Sequence, residues 1–229
     1  MVAALVMFAW WNAKAAERDV PMDGRIVAVP GGRLHVREMG SGRPVVMIHG
    51  LGGQMRNFTY SLADKLVEDH RLVILDRPGS GYSTADAPVG LGEQADMIAA
   101  LIAQLGLAKS ESERPLVVGH SLGGAIALSL VLRHPDKVGG LALLAPLTQP
   151  TSEVNPVFAA LTLKPAWLRA VLAWTLVAPM GRLSQAKSAG EIFGPEAAPA
   201  DFGVRGGAAL TMRPSAFLAA GRDIAAAQA

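Results

Sequence analysis

Between residues 25 and 144, short runs of apolar and β-branched residues alternate with stretches whose apolar positions recur at helical spacing. That alternation is the pattern of βαβ units around a mostly parallel sheet. Arg25–Val29 and Arg33–Glu38 flank Pro30-Gly31-Gly32 and predict an antiparallel hairpin. Pro44–Ile48 is apolar without interruption, so it predicts a strand buried on both faces that runs into His49-Gly50. Phe58, Leu62 and Leu66 fall four residues apart and predict a helix with one apolar stripe. Arg71–Leu75 predicts the next strand, and Met97, Ile98, Leu101, Ile102 and Leu105 mark a second amphipathic helix closed by Gly106. Pro115–Val118, Ser121–Arg133 and Val138–Leu144 then read as strand, helix and strand, with His134-Pro135 stopping the helix.

The pattern changes at both ends of this stretch. From Pro146 onward the chain is rich in Ala, Leu and Pro, with Trp167, Trp174 and Phe193, and predicts short helices broken by Pro and Gly with no further strand of the earlier type. Ahead of it, Val2–Trp11 is an apolar run followed by polar residues. A spanning helix needs about 20 apolar residues, so the run is too short for one, and it lacks the basic start of a signal peptide. Trp10 and Trp11 beside Lys14 and Arg18 look like the interfacial end of a membrane segment. The expectation is the tail of a signal anchor, giving membrane attachment through the N-terminus at a bacterial inner membrane or in the periplasm. The alternative is an amphiphilic helix packed on the domain of a cytoplasmic protein. Three regions follow: a leader at 1–20, an α/β core at 21–148 and a helical region at 149–229.

Composition narrows the function classes. At 229 residues, with 51% hydrophobic and 17% charged residues, the chain can bury one sizeable core. A net charge of +2 without any Lys/Arg run gives no footprint for nucleic acid. The absence of cysteine excludes disulfides, zinc–thiolate sites and a thiol nucleophile.

Gly119-His120-Ser121-Leu122-Gly123 matches G-x-S-x-G, between an apolar run that predicts a strand and one that predicts a helix. A nucleophile on such a sharp turn needs small neighbours two residues to either side, so that strand and helix can approach. The turn would lift the Ser121 hydroxyl to a helix N-terminus, where the dipole favours developing negative charge. His49-Gly50-Leu51-Gly52-Gly53 follows the buried strand, and its glycines leave backbone N–H groups open toward a ligand, as an oxyanion hole requires. The expected donors are the N–H groups of Leu51 and Leu122. No Lys-Ser/Thr follows those glycines, which argues against a phosphate loop.

On HGLGG (49–53), LDRPGSGYS (75–83), VVGHSLGGAIAL (117–128) and RHPDKVGGLALLAP (133–146), the chain resembles the α/β-hydrolases, in particular the lid-bearing branch of esterases and C–C bond hydrolases. The leader and the Met55–Phe58 turn are similar to exported or membrane-anchored bacterial members. The resemblance implies a mostly parallel sheet with flanking helices and a helical cap over 149–229. It implies ester hydrolysis through an acyl-enzyme on Ser121, a small hydrophobic ester or related carbonyl compound as substrate, and no metal or organic cofactor. It gives His49 a supporting hydrogen bond and Asp76 a structural role, with Arg77 or a turn N–H as partner. Haloalkane dehalogenation would place Asp where Ser121 stands.

The triad order on this fold is Ser, then Asp or Glu, then His. Of the five histidines, only His134 follows Ser121, at the far end of the helix Ser121 begins, roughly 20 Å away at about 1.5 Å per residue. His120 points elsewhere as the neighbour of Ser121, and Glu153 as the acid would have no histidine to orient. The expectation is therefore a chain shortened at its C-terminus, with the triad acid and base not in it and the last strands missing. The alternative is a non-catalytic remnant or binding protein that keeps the fold.

Overall fold

The computed structural model describes residues 1–149 and 156–228. Its centre is a seven-stranded mixed sheet: β1 (Arg25–Val29), β2 (Gly32–Met39), β3 (Arg43–Ile48), β4 (His70–Leu75), β5 (Thr84–Ala85), β6 (Leu116–His120) and β7 (Gly140–Leu144). The strand order is β1-β2-β4-β3-β6-β7, with β5 paired to β2. β3 runs parallel to both β4 and β6, and β6 parallel to β7, whereas β1, β2 and β4 meet antiparallel. The chain leaves β3 to build β4 on one side, then returns to build β6 on the other. That reversal makes the carboxyl ends of β3 and β6 a topological switch point, where ligands of open α/β sheets bind.

The uninterrupted apolar strands are explained by cover on both faces of the sheet. Val46, Ile48, Val73, Leu75 and Val117 pack against α3 (Leu91–Gln104) and α4 (Leu122–Arg133) through Ile98, Leu101, Ile102, Ile126 and Leu130. Their strand neighbours Val45, Met47, Leu72, Ile74 and Val118 face the other way, onto Met55, Phe58 and Ala63. Each large aliphatic side chain so buried contributes about 1.5–3 kcal/mol, and this places the core firmly in the sheet and its two long helices.

The segment with Phe58, Leu62 and Leu66 departs from expectation. It forms two separate turns, α2 (Arg56–Thr59) and a 3-10 turn at Ala63–Lys65, rather than one helix. The apolar spacing still buries its residues against β3 and β4. However, the intervening Thr59-Tyr60-Ser61 is poor in helix formers, and the Tyr60 hydroxyl is drawn outward to donate to Asp201 at 2.7 Å. α3 starts earlier than its apolar stripe predicts, at Leu91, where the Glu93 carboxylate accepts the Gly90 N–H at 3.0 Å.

After β7, the described residues hold no strand, only α5 (Ala166–Thr175), α6 (Val177–Phe193), α7 (Pro214–Ala227) and the short turns Pro156–Thr162 and Ala208–Met212. The leader is one helix, α1 (Val2–Asp19), and it packs on the domain, as the alternative reading of the leader has it. Among the described residues no helix is long and apolar enough to cross a membrane. Instead α1 packs on α5, α6 and the Ala208–Met212 turn, burying the line Ala9, Asn12, Ala16 and, just beyond the helix, Val20. Asn12 Oδ1 accepts a hydrogen bond from Arg182 Nε at 3.1 Å, and the Tyr82 hydroxyl donates to Val20 O at 2.6 Å. A helix with a polar residue tied down at its middle is shaped for a protein surface.

Candidate active site

Ser121 stands between the end of β6 and the start of α4 with φ +51° and ψ −120°. A non-glycine residue there is strained, at a cost of order 1–3 kcal/mol, and persists only where its surroundings hold it. The surroundings are visible. Ser121 N–H donates to Leu144 O at 3.0 Å at the end of β7, and Ser121 O accepts from Gly124 N at 2.8 Å and Leu147 N at 2.9 Å. The two glycines of the motif are sterically required. A Cβ on Gly119 would lie 2.7 Å from Gly124 Cα, and one on Gly123 would fall onto the carbonyl oxygens of Ile48 and His49.

The same approach brings the two predicted loops together. Gly50 lies so close that a Cβ there would be 3.0 Å from Ser121 Cβ and 3.1 Å from His120 Nδ1. Gly50, Leu51, Gly52, His120, Ser121 and Leu122 line one cavity of about 680 Å³, and Phe158, Ile192, Phe193, Phe202 and Ile224 contribute apolar walls to it. Phe202 stacks edge-on against Tyr60 and Phe193, at 5.4 and 4.9 Å between ring centres. Gln54 Nε2 donates to Gly206 O at 2.6 Å, tying the glycine loop to the helical side of the cavity.

His49 lies behind the cavity, fully buried. Its Nδ1–H donates to Gly50 O at 2.8 Å and its Nε2 accepts the Arg77 N–H at 3.0 Å, so the ring is neutral and both nitrogens are occupied. Burial, reinforced by the Arg77 charge, pulls its pKa down to about 3. His120 borders the cavity, and desolvation lowers its pKa. The remaining histidines lie elsewhere: His35 Nδ1 bonds Asp76 at 2.7 Å, His134 Nε2 bonds Asp96 at 2.7 Å, and His70 stands at the start of β4. Among the described residues, none hydrogen-bonds to the Ser121 hydroxyl, and no three His, Asp or Glu side chains gather to hold a metal ion. Glu153 lies outside the described residues.

Asp76 is structural in its contacts, with backbone partners. Its carboxylate accepts Met55 N at 2.7 Å and Tyr82 N at 2.9 Å, besides His35. Arg77 is not its partner. That guanidinium is wholly buried and donates to His49 O at 2.9 Å, Gly50 O at 3.1 Å, Gln94 Oε1 at 3.0 Å and Asp223 Oδ2 at 2.9 Å on α7. Gln94 Nε2 closes the ring onto Asp223 Oδ1 at 2.8 Å. Sequence reasoning missed this network, because the only local signal is one Arg in a glycine turn and its partner lies far along the chain.

The profile of a family described as "alpha/beta hydrolase fold" matches residues 43–200. The acetoin-cleaving-system acetyltransferase component of Cupriavidus necator is 33% identical over 135 residues, covering 58% of this chain and 34% of that one. The 2-hydroxymuconate semialdehyde hydrolase of Pseudomonas sp. (strain CF600) is 32% identical over 157 residues, covering 63% and 54%. The chain thus spans from about a third to about half the length of these curated relatives. In fold it is similar to a solved structure described as a putative epoxide hydrolase from Pseudomonas aeruginosa, with TM-score 0.68, 23% identity, and coverage of 90% of this chain and 70% of that one.

Proposed function

The chain belongs to the α/β-hydrolase family, and on that premise we propose that Ser121 is the nucleophile of a serine hydrolase acting on small hydrophobic esters. The observation that carries this is the strained Ser121 backbone at the head of α4, beside Gly50 and at the wall of an apolar cavity. In this reading Ser121 Oγ attacks the ester carbonyl carbon, and the N–H groups of Leu51 and Leu122 hold the oxyanion. The alcohol leaves with a proton from a histidine, and water then releases the acid from the acyl-enzyme. The helices after β7 act as the cap. His35, His49 and His134 are engaged elsewhere, and His120 borders the cavity without a hydrogen bond to the Ser121 hydroxyl, so we assign the base and its acid to none of the described residues.

Esters are favoured over C–C bonds on chemical grounds. Cleaving a C–C bond leaves a carbanion-like group that must be protonated on carbon. Among the described residues the cavity wall is largely apolar, with Asn57, Tyr60, Ser61, His120 and Thr211 among its polar residues and no carboxylate.

The test assays this chain, and any longer natural protein that contains it, on short p-nitrophenyl esters and with a fluorophosphonate probe. Ser121→Ala is expected to lose at least about 10³-fold in kcat/KM, as removal of a triad nucleophile does. Leu51→Pro, which deletes the backbone donor, is expected to lose roughly 10²–10³-fold, while Leu51→Ala keeps the donor and most of the activity. The 229-residue chain alone is expected to label weakly. Parental esterase activity in Ser121→Ala would refute the proposal.

A further inference from the structure

The chain has four tryptophans, and all four are exposed: Trp10 at 56%, Trp11 at 52%, Trp167 at 65% and Trp174 at 40%. Trp is ordinarily among the well-buried residues of a domain. These four lie on only two helices, α1 and α5, which pack on each other. On α1 the outward stripe of Met7 and the two tryptophans passes into Lys14 and Arg18 in the last turns. On α5, Trp167, Val171 and Trp174 recur at i, i+4 and i+7, forming an outward stripe without a charged residue. Arg182 of α6 fixes the arrangement from beside, its guanidinium 5.3 Å from the Phe8 ring centre and 5.9 Å from that of Trp11.

We propose that α1 and α5 together form a docking surface for the interface of an anionic lipid bilayer, on which the protein lies without crossing it. Three features select this occupant. An indole wants its ring in acyl chains and its N–H among headgroups, so exposed Trp clusters suit the membrane boundary. The stripes lie on convex helix surfaces, which give a protein partner no pocket for a buried anchor but sink readily into a fluid interface, as amphipathic helices do to about 5–10 Å. The charge is complementary on α5 and α6, where residues 160–193 carry Lys164, Arg169, Arg182 and Lys187 against Glu191 alone, while on α1 Lys14 and Arg18 border the stripe as partners of Glu17 and Asp19. The surface also adjoins a cavity. Met180 of α6 is exposed and at the same time lines a 310 Å³ hollow that shares Gly52, Gly53 and Ile192 with the cavity at Ser121. The inference stands on the surface alone and holds whether or not Ser121 is catalytic.

The experiment uses the whole 229-residue chain and vesicles of phosphatidylcholine with or without phosphatidylglycerol, read by co-sedimentation and indole emission. Binding to the phosphatidylglycerol vesicles with a blue shift is expected, and weaker binding without that lipid. Trp167→Gln/Trp174→Gln is expected to weaken partitioning at least about tenfold, since binding scales with the apolar area inserted. Lys14→Glu is expected to weaken it at least about fivefold on anionic vesicles, the effect of one basic residue near such a surface. All three positions are exposed, so unchanged circular dichroism is expected of each variant. Absence of binding to either vesicle overturns the proposal. So does parental binding by the double Trp variant, which would leave α1 acting alone. A dimer in sedimentation velocity that the Trp substitutions dissociate, without vesicle binding, would assign the face to a second copy and overturn it equally.

Discussion

His49 shows how a site residue can matter without touching the reaction. Its two ring nitrogens join the glycine loop to the Arg77 backbone, and it is neutral because burial holds its pKa near 3. In the unfolded chain the same ring has an ordinary pKa near 6.5. Between those values the unfolded state binds a proton that the folded state refuses, so stability rises with pH across that window. The contribution is fully present above about pH 6.5 and is lost as the pH falls toward 3, by up to about 1.4 kcal/mol per pH unit from this group. The urea midpoint of the chain is therefore expected to fall between pH 7 and pH 5. The fall should be shallower in His49→Gln, which removes the titrating ring. Equal slopes in the two proteins would mean that His49 is not buried as a neutral ring. Ser121 makes the complementary point: its strained φ is held by β7 and by the residue after Pro146 rather than by its own helix.

At the scale of elements, what the sequence made legible is what sterics and burial write locally. β3, β4 and β6 were readable because strands covered on both faces must be apolar at every position. The elbow was readable because Gly119 and Gly123 stand where any Cβ would strike backbone. Where spacing alone was the guide, it located burial but not geometry, as between Phe58 and Leu66. β5, two residues long, is too short to carry a period. Least legible was the tie between α7 and the glycine loop through Arg77, Gln94 and Asp223, because nothing near Asp223 announces it. That tie yields a sharp expectation. Asp223→Ala leaves a buried guanidinium unpaired and should cost about 3–5 kcal/mol of stability. Arg77→Met/Asp223→Leu removes both charges and should restore most of that. If Ser121 is the nucleophile, however, the double variant should remain slow to react with a fluorophosphonate, since His49 O and Gly50 O then lose their Arg77 donors and Gly50 O keeps only His49 Nδ1–H and Gly53 N–H. Full recovery of both stability and labelling would reduce the network to packing.

Across the whole molecule, stability is expected to fall off from the middle of the sheet outward. Met47, Ile74 and Val118 lie on adjacent central strands, each paired on both sides and each contributing a buried side chain. β7 is hydrogen-bonded to β6 alone among the described residues, and its side chains are only half-buried. Leu132 on α4 and Leu144 at the end of β7 are exposed, so the neighbouring face holds fewer apolar contacts. Local opening costs least where buried contacts are few and backbone groups are open to water. Native-state hydrogen exchange should therefore separate two classes. Amides of β3, β4 and β6 are expected to exchange only through global unfolding, with a denaturant dependence matching that of the urea transition. Amides of β7 are expected to exchange through local openings that denaturant hardly affects. The distinction bears on function, because β7 supplies the carbonyl of Leu144 that accepts the Ser121 N–H. A β7 that opens readily would release the strained serine, whereas a partner along its free edge would hold both. If β7 amides proved as protected as those of β3 in the 229-residue chain, Ser121 would be fully held without such a partner, and its geometry would owe nothing to what lies along that edge.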